Sequence, residues 1–218
     1  MTTRKSALLP GFYILWASVA VPADGAADPA AQSWHFTVLL DGKRIGAHDF
    51  RVERHGAATD VDSQAHFKVK SAFISLYQYD HQDHEVWRNG CLATISSRTH
   101  DNGKSYAVEG ELKADAFEVR GSRAAATLPA CVKTFAYWDQ SFLTEPRLLN
   151  SQTGEFQTVT LTRDGTQLIK ANAQTIAAQR YSLRAPKLDI DLWYSETGSW
   201  LALESKLESG RILRYEIQ

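Results

Sequence analysis

The run 80–85, which reads Asp-His-Gln-Asp-His-Glu, is the one cluster of metal-ligand residue types in the chain. Carboxylate and imidazole groups bind zinc, and they are also the usual proton-transfer groups of enzymes. Alternate side chains of a β-strand point to opposite faces. His81 and His84 should therefore face opposite sides, with His81 on the face of Asp83 and Glu85.

A zinc site needs three or four converging ligands, so this run would need another ligand from a neighbouring strand. His66 and His100 are candidates, but no spacing connects either of them to the run. We therefore expect no metal ion, and we interpret the run as a solvated strand end.

Familiar catalytic motifs are missing from the sequence. There is no Gly-x-Ser-x-Gly motif of serine hydrolases and no glycine-rich phosphate loop. We therefore predict no catalytic residues and no cofactor.

A second candidate surface lies in the last three predicted strands. One face of these strands is apolar, and the other mixes tryptophans with charges, namely Asp191, Trp193, Trp200, Glu204, Arg214 and Glu216. This mixed face is either an outer surface with weak cross-strand ion pairs or the lining of a concave groove. In a groove, the aromatic rings would stack on a ligand and the charges would orient it.

The third candidate is the connection 128–150, the longest in the chain. It contains two prolines and an aromatic group made of Phe135, Tyr137, Trp138 and Phe142. We predict a short helix or helical turn over 137–143. Long connections in compact domains often carry function, so the aromatic group is either a structural plug at one end of the sheet or a lid above a ligand space.

Turn signals divide the chain into the elements that must position these residues. They are Asp41-Gly42, Asn89-Gly90, Asn102-Gly103, Asp164-Gly165, Thr197-Gly198 and Ser209-Gly210. Gly, Asn and Asp tolerate the positive φ of tight hairpin turns, so each pair predicts a hairpin tip. The predicted strands are 34–40, 45–53, 61–70, 74–87, 91–99, 105–112, 117–120, 156–163, 166–171, 174–183, 188–194, 200–207 and 211–217.

About twelve or thirteen strands in one domain exceed what a flat open sheet tolerates. The sequence therefore predicts an all-β fold, a single strongly curved antiparallel meander that forms a half-barrel or a closed barrel. The supply of aromatic residues, six Trp, eight Tyr and nine Phe, suits the faces of such a sheet.

The N-terminus has the order of an export signal. Arg4 and Lys5 precede an uncharged stretch over 7–21, and small residues follow, with cleavage expected after Ala23, Ala26 or Ala27. The stretch is shorter than the ~20 residues that span a bilayer, although an uncleaved anchor is the alternative. We predict a signal peptide over 1–27, a disordered leader over 28–33 and one β domain over 34–218, periplasmic or secreted.

The formal net charge of −1 argues against nucleic-acid binding, which needs a clustered basic face. We expect a monomer without a membrane span in the mature form. The two cysteines, Cys91 and Cys131, form a disulfide in an oxidising compartment or remain as buried free thiols, and the export signal favours the bond. Closing this loop of about 40 residues would contribute roughly 4 kcal/mol.

Several short runs together resemble an uncharacterised family of exported bacterial β-domains, a domain of unknown function. They are LDIDLWY from Leu188, GSWL from Gly198, GRILRY from Gly210, NGCL from Asn89, DNG from Asp101, Ala130-Cys131 through Tyr137-Trp138, and LNSQTG from Leu149. The resemblance implies export and an all-β domain but no activity. The pattern is also loosely similar to the half-barrels of periplasmic lipoprotein carriers, a likeness of fold alone.

These observations favour a non-catalytic envelope protein that binds a lipid-like or other small amphiphilic ligand, or a partner, in a concave β groove. The alternatives are a small exported hydrolase that uses carboxylates such as Asp191 and Glu204, and a purely structural scaffold. An apolar cavity under the aromatic connection would favour binding. Buried carboxylates about 5–9 Å apart in a cleft would favour the hydrolase.

Overall fold

The computed structural model describes residues 31–71 and 74–218. The predicted signal peptide, 1–27, and the predicted leader as far as residue 30 lie outside the described residues. The first strand begins at Gln32, two residues before the predicted start of the domain. No helix within the described ranges is long and apolar enough to cross a membrane.

Fifteen strands and one 3₁₀ helix make up the described chain. The strands are β1 Gln32–Leu40, β2 Lys43–His55, β3 Ala58–Ser71, β4 Ile74–Arg88, β5 Cys91–Asp101, β6 Lys104–Lys113, β7 Ala116–Gly121, β8 Ala125–Pro129, β9 Arg147–Leu149, β10 Phe156–Thr158, β11 Thr160–Ala171, β12 Gln174–Ala185, β13 Leu188–Tyr194, β14 Trp200–Lys206 and β15 Ile212–Ile217. The helix spans Gln140–Thr144.

Thirteen of these strands form one antiparallel sheet, in the order β11-β12-β13-β14-β15-β1-β2-β3-β4-β5-β6-β7-β8. The prediction of an all-β fold with one large antiparallel meander sheet is confirmed. The chain runs through this sheet in two stretches, β1–β8 and β11–β15. Pairing of β1 with β15, in which Val38 opposes Tyr215, joins them. The sheet is open, since β8 and β11 are its two edges.

The sheet is strongly curved. Phe50 on β2 and Trp200 on β14 lie three strand positions apart, about 14 Å in a flat sheet, yet their ring centroids are 5.2 Å apart. Phe67 on β3 approaches Tyr215 on β15 to 6.1 Å in the same way. The concave side therefore encloses the main hydrophobic core.

The predicted turns at Asp41, Asn89 and Asn102 are confirmed, and each of these residues has a positive φ of 45° to 52°. The predicted tip at Asp164-Gly165 is wrong. β11 continues through it to Ala171, and the pairing with β12 shifts between Arg163 and Gly165. The glycine, at φ +89°, accommodates a β-bulge.

The predicted connection, 128–150, is part of a longer segment, 130–159, that runs between the two edge strands from β8 to β11. This whole segment, called the connection below, packs against the concave side. Its buried side chains include Val132, Phe142 and Leu148, which belong to the main core. The predicted helix over 137–143 is only the 3₁₀ turn, capped by Asp139, whose side chain accepts a hydrogen bond from the Ser141 amide at 3.1 Å. The predicted strand over 156–163 is divided between β10, which pairs with β9, and β11.

The outer half of the β11–β12 hairpin covers the convex side. β12 pairs with β13 only over its second half, from Gln179 onward. The hairpin tip reaches the end of β15, where the side-chain amide group of Asn172 lies within hydrogen-bond distance of the carbonyl oxygens of Ile217 and Gln218, at 3.0 and 3.2 Å. Ile169 and Ala178 thereby form a second, smaller cluster with Trp193 and Ala202.

The predicted disulfide between Cys91 and Cys131 is confirmed, with a Cα–Cα separation of 4.9 Å. Next to it, the Leu92 amide donates to the Val132 carbonyl at 3.0 Å. The bond therefore fastens the start of the connection to the first residue of β5.

Candidate functional site

A polar patch interrupts the apolar concave face on β2, β3 and β4. Its members are His48, Ser63, His81, Asp83 and Glu85. His81 and Glu85 are buried, at 7% and 4% exposure. Most positions around them on this face are occupied by Val, Phe and Trp, so the patch is a local exception within the core.

Strand register brings these residues together. Ser63 on β3 lies directly opposite Asp83 on β4, and Ala65 lies opposite both His81 on β4 and His48 on β2. Directly paired side chains on one face have Cβ atoms about 5 Å apart. Alternation along β4 then adds Glu85 to the same face.

The patch faces a cavity of about 190 Å³ that separates it from the connection. The cavity is lined by His48, Phe50, Val61, Ser63, Tyr79, His81, Asp83, Glu85, Thr134, Phe135, Tyr137, Trp138, Asn150, Ser151, Gln152, Leu188 and Tyr215. This lining contains carboxyl, imidazole, phenol and amide groups together with large apolar rings. It contains no lysine and no arginine.

Asp83 and Glu85 form an acid pair in which Glu85 is buried and Asp83 is half-buried. Each carboxyl group affects the pKa of the other through a side-chain hydrogen bond. Burial raises the pKa of both groups, and the charge of Glu85 raises that of Asp83 further. Two carboxyl groups in contact need one proton between them, so the pair titrates as a unit. Near neutral pH the pair therefore keeps a proton, and its negative charge comes from the carboxyl group that has lost one.

The two acids differ in their other partners. Trp87 Nε1 donates to Glu85 Oε2 at 2.8 Å, which anchors that side chain in the core. Oδ1 of Asp83 is closed to solvent and accepts no hydrogen bond from the described protein groups. A side-chain hydrogen bond from Ser151 reaches the same carboxyl group and lowers its pKa, so the missing partner concerns Oδ1 alone. Buried polar atoms are rarely left without a partner, so Asp83 is the group in this cavity most in need of a donor.

The two imidazoles of the patch remain neutral. Nε2 of His48 lies 2.8 Å from Ser63 Oγ, and its Nδ1 lies 3.4 Å from the Tyr215 hydroxyl. Nδ1 of His81 lies 2.8 Å from Thr99 Oγ1. Burial lowers the pKa of His48 to about 3 and the pKa of His81 to about 4, so neither ring offsets the charge of the acid pair at neutral pH.

Three tyrosines at the cavity also remain neutral. Burial raises the pKa values of Tyr79, Tyr137 and Tyr215 above their usual range. The Tyr79 hydroxyl donates to Gln152 Oε1 at 3.2 Å, which joins β4 to the connection. These phenol rings therefore act as hydrogen-bonding aromatic walls, and they contribute no charge.

Of the four aromatic residues predicted in the connection, Phe135, Tyr137 and Trp138 line the cavity and are half-buried. Trp138 packs edge-on against Trp87 with a centroid distance of 5.6 Å. Phe142 does not reach the cavity. It is fully buried, and it packs edge-on against the Tyr137 ring with a centroid distance of 5.8 Å.

The predicted mixed face of Trp193 and Trp200 does not exist as one surface. The pairing of β13 with β14 shifts between Trp193 and Tyr194, so that Trp200 rather than Leu201 opposes Tyr194. This bulge turns Trp200 into the main core, while Trp193 stays on the convex side. Strict alternation in the sequence could not show the extra residue.

The remaining predicted groove residues form an ion-pair network on the convex side. Asp191 accepts from Arg180 at 2.5 Å and from Arg184 at 2.9 Å, and Arg214 lies 3.0 Å from Glu204. The guanidinium groups of Arg180 and Arg214 lie 5.9 and 5.7 Å from the Trp193 ring. Since Trp193 is also buried under the β11–β12 hairpin, these contacts match the outer-surface interpretation and do not form a concave groove.

The interpretation of 80–85 as a solvated strand end is wrong for half of the run. As alternation predicts, His81, Asp83 and Glu85 share one face, but that face is the concave one. On the convex face, His84 Nδ1 lies 2.8 Å from Asp62 Oδ1, and His66 hydrogen bonds to Asp80. Within the described ranges, no three His, Cys, Asp or Glu side chains converge in an arrangement that could hold a metal ion.

The sequence contained only one signal for the acid pair. Asp83 and Glu85 alternate with His84 and Val86 in a long strand whose neighbours carry apolar residues at the paired positions, such as Val61 opposite Glu85. Because polar residues occupy both alternating sets of positions in this strand, the sequence does not show which face is buried. Tertiary contacts with the connection were needed to decide it.

Comparison with solved structures finds a protein of the same architecture. It is a β-barrel-like protein of the DUF1849 domain of unknown function from Brucella abortus, seen in a crystal structure. The TM-score is 0.64 with 8% sequence identity, over 88% of this chain and 97% of that chain. At this identity the likeness concerns the fold alone.

No curated protein sequence matches the chain. A family match covers residues 36–218, which is nearly the whole described chain. It agrees with the resemblance to an uncharacterised β-domain family that the sequence motifs indicated. The chain belongs to DUF6134, a family defined by a domain of unknown function.

Proposed function

We propose that this chain is an exported, non-catalytic envelope domain that binds a small amphiphilic molecule in the cavity under the connection. The observation that carries the proposal is the cavity itself, where aromatic side chains lie on one side and an acid with an unpartnered oxygen on the other. Binding sites for small molecules commonly combine apolar walls with a few converging polar groups.

The cavity fixes the size and the orientation of the ligand. Its volume of about 190 Å³ is below the roughly 300–1,000 Å³ of pockets that hold drug-sized molecules. It therefore suits a small molecule or one end of a longer one. The apolar part would contact Phe135 and Trp138, while the polar part would approach Asp83.

Two features support export. The order of basic, apolar and small residues over 4–27 is that of a signal peptide. The disulfide between Cys91 and Cys131 is the kind of bond that persists in the periplasm or outside the cell. Intact mass measurement of the mature protein should give a chain that starts between residues 24 and 28, and a species that retains Met1 would contradict export with cleavage.

The geometry gives less support to a hydrolase. The side-chain hydrogen bond between Asp83 and Glu85 that affects their pKa values leaves no gap between the two carboxyl groups. Glycoside hydrolases need a gap of roughly 5–9 Å to place a bond or a water between their two acids. Ser63 and His48 have the contact of a nucleophile and its base. However, His48 has a tyrosine rather than a carboxylate as its second neighbour, and its lowered pKa makes it a weak base.

Native mass spectrometry of the protein purified from the bacterial envelope tests binding. The wild type should carry an additional mass, and Trp138→Ala should lose most of it because that ring lines the cavity. Phe142→Ala is the matched control, since it removes a core ring of the same connection that does not touch the cavity. A wild type without bound mass, or equal loss in both variants, would contradict the proposal.

A further inference from the structure

We propose that the ligand of this cavity is a small organic cation, an ammonium group with an apolar substituent, held between the Asp83–Glu85 pair and the aromatic side chains of the connection. This inference rests on the proposed binding function and names the chemical class of its ligand. It follows from the charge of the cavity, from the Asp83 oxygen that accepts no hydrogen bond from the described residues, and from the arrangement of the rings.

The charged groups that line the cavity are negative. Its titratable lining consists of the acid pair on β4, His48 and His81 on β2 and β4, and phenols from β4, the connection and β15. The imidazoles and phenols are neutral at neutral pH, so the acid pair supplies the net charge. An anion would meet uncompensated repulsion there, because no lysine or arginine lines the cavity.

One oxygen of the Asp83 carboxyl group, Oδ1, accepts no hydrogen bond from the described protein groups. Oδ1 is closed to solvent in this structure, so a ligand in the cavity reaches it when the carboxyl group turns toward the cavity that Asp83 lines. An ammonium group carries up to three N–H donors, and hydrogen bonds between ionised partners are about twice as strong as neutral ones. A neutral alcohol also donates, but it leaves the negative charge of the pair unbalanced.

The rings complete the site. Tyr79, Phe135, Tyr137, Trp138 and Tyr215 all line the same cavity. Cations are attracted to the faces of aromatic rings, and aromatic cages are a common device for recognising alkylated ammonium groups. The same rings would cover the apolar substituent.

Binding should release a proton. The pair keeps a proton because burial disfavours the charged form of both groups and because two adjacent carboxylates repel each other. A cation between Asp83 and the rings stabilises the charge that the pair gains when it loses this proton, and it therefore lowers the pKa of the pair. The proton passes to the solvent, so affinity for the cation should rise with pH across the titration of the pair.

NMR titration with three matched probes tests the ligand class: n-butylammonium, n-butanol and butyrate. The Trp138 indole resonance reports occupancy. We expect n-butylammonium to bind at least about tenfold more tightly than n-butanol, with butyrate weakest. Calorimetry in buffers of different ionisation enthalpy should show release of up to about one proton per cation bound.

Two variants test whether Asp83 is responsible for the preference for the cation. Asp83→Asn should lower the affinity for n-butylammonium about tenfold or more while leaving n-butanol binding unchanged. Asp115→Asn removes an exposed carboxylate in the turn between β6 and β7 and should leave both affinities unchanged. The probe series on the wild type stands independently of whether Asp83→Asn folds.

The possible outcomes separate the two proposals. If n-butanol binds as tightly as n-butylammonium, or if no proton is released, the cation inference is overturned while cavity binding survives. If butyrate binds best, the inference is overturned as well. If none of the probes shifts Trp138 and the envelope-purified protein carries no bound mass, both proposals fail.

Discussion

Asp83 and Glu85 lie two residues apart on the concave face of β4, and their carboxyl groups are hydrogen-bond neighbours inside the curved sheet. Ser63 of β3 lies directly opposite Asp83, and Val61 lies opposite Glu85. Both acids line the cavity. Glu85 is anchored by the hydrogen bond from Trp87, whereas Oδ1 of Asp83 accepts no hydrogen bond from the described residues. Asp83 is therefore the member of the pair that we propose binds the ligand.

The acid pair should make the protein less stable as pH rises. Burial raises the folded-state pKa of Glu85 above its unfolded value, so the folded state holds more protons and loses stability as pH rises from about 4.5 through neutrality. Glu85→Gln removes this titration while keeping an acceptor for Trp87. Relative to wild type, it should gain on the order of 2 kcal/mol between pH 5 and pH 8.

Urea unfolding at several pH values measures this difference. Asp115→Asn, on the protein surface, provides the control and should follow the wild-type curve. Parallel curves for wild type and Glu85→Gln across this range would show that the pair carries no buried charge.

The histidines should destabilise the protein on the acid side. Burial lowers the folded-state pKa of His81 to about 4, from about 6.5 in the unfolded chain. The unfolded state therefore binds more protons between these values, and stability falls as pH decreases from about 6.5 to 4. His81→Gln should flatten this slope by up to about 3 kcal/mol, whereas His84→Gln, on the convex face, should not.

NMR titration of the His81 ring checks the cause directly. The ring should stay neutral down to about pH 4 in the folded protein. Protonation of His81 near pH 6.5 without unfolding would contradict its burial.

Removing the disulfide should loosen the connection as well as destabilise the fold. The bond closes a separation of 40 residues, and losing it should cost about 2–5 kcal/mol. Replacing both Cys91 and Cys131 by Ala should also increase hydrogen exchange at the Leu92 amide, which donates to Val132 beside the bond. Unchanged stability and exchange would mean that packing alone fixes the connection.

The convex network should affect stability and leave binding alone. Burial tends to raise the pKa of Asp191, but hydrogen bonds from Arg184 and Arg180 outweigh this and hold it below its usual value. Its stabilising contribution is therefore present above the unfolded pKa and is lost as pH falls through the folded pKa. Asp191→Asn should cost about 1–2 kcal/mol at neutral pH in a denaturant titration.

Ligand retention by Asp191→Asn, measured by native mass spectrometry, should equal that of wild type. A binding defect without a loss of stability would restore the groove that the sequence suggested on this side of the sheet.

The strand pattern and the turn residues predicted most of the fold because both are local. Asp41-Gly42 and Asn102-Gly103 need only a positive φ between two β-type runs. Asp164-Gly165 carries the same signal, but its glycine accommodates a bulge within β11. Whether such a pair forms a hairpin tip or a bulge depends on tertiary contacts, here those of the hairpin that folds over Trp193.

The site was less predictable, because it depends on which face is concave. Alternation correctly places His81, Asp83 and Glu85 on one face of β4, but it does not show whether that face is concave or convex. The aromatic connection was recognised from its composition, and Trp138 does line the cavity. Strict alternation assigns Trp200 to the same face as Trp193, but a bulge in the pairing of β13 with β14 places it in the core. Sequence spacing alone does not show such a bulge.

A crystal structure of the protein purified from the bacterial envelope, without refolding, tests most directly whether the cavity holds a ligand. The account predicts density for a non-water molecule in the cavity, with a donor atom near the Asp83 carboxyl group and apolar atoms against Trp138. Density against Trp193 on the convex side, or a cavity occupied only by ordered water, would contradict it.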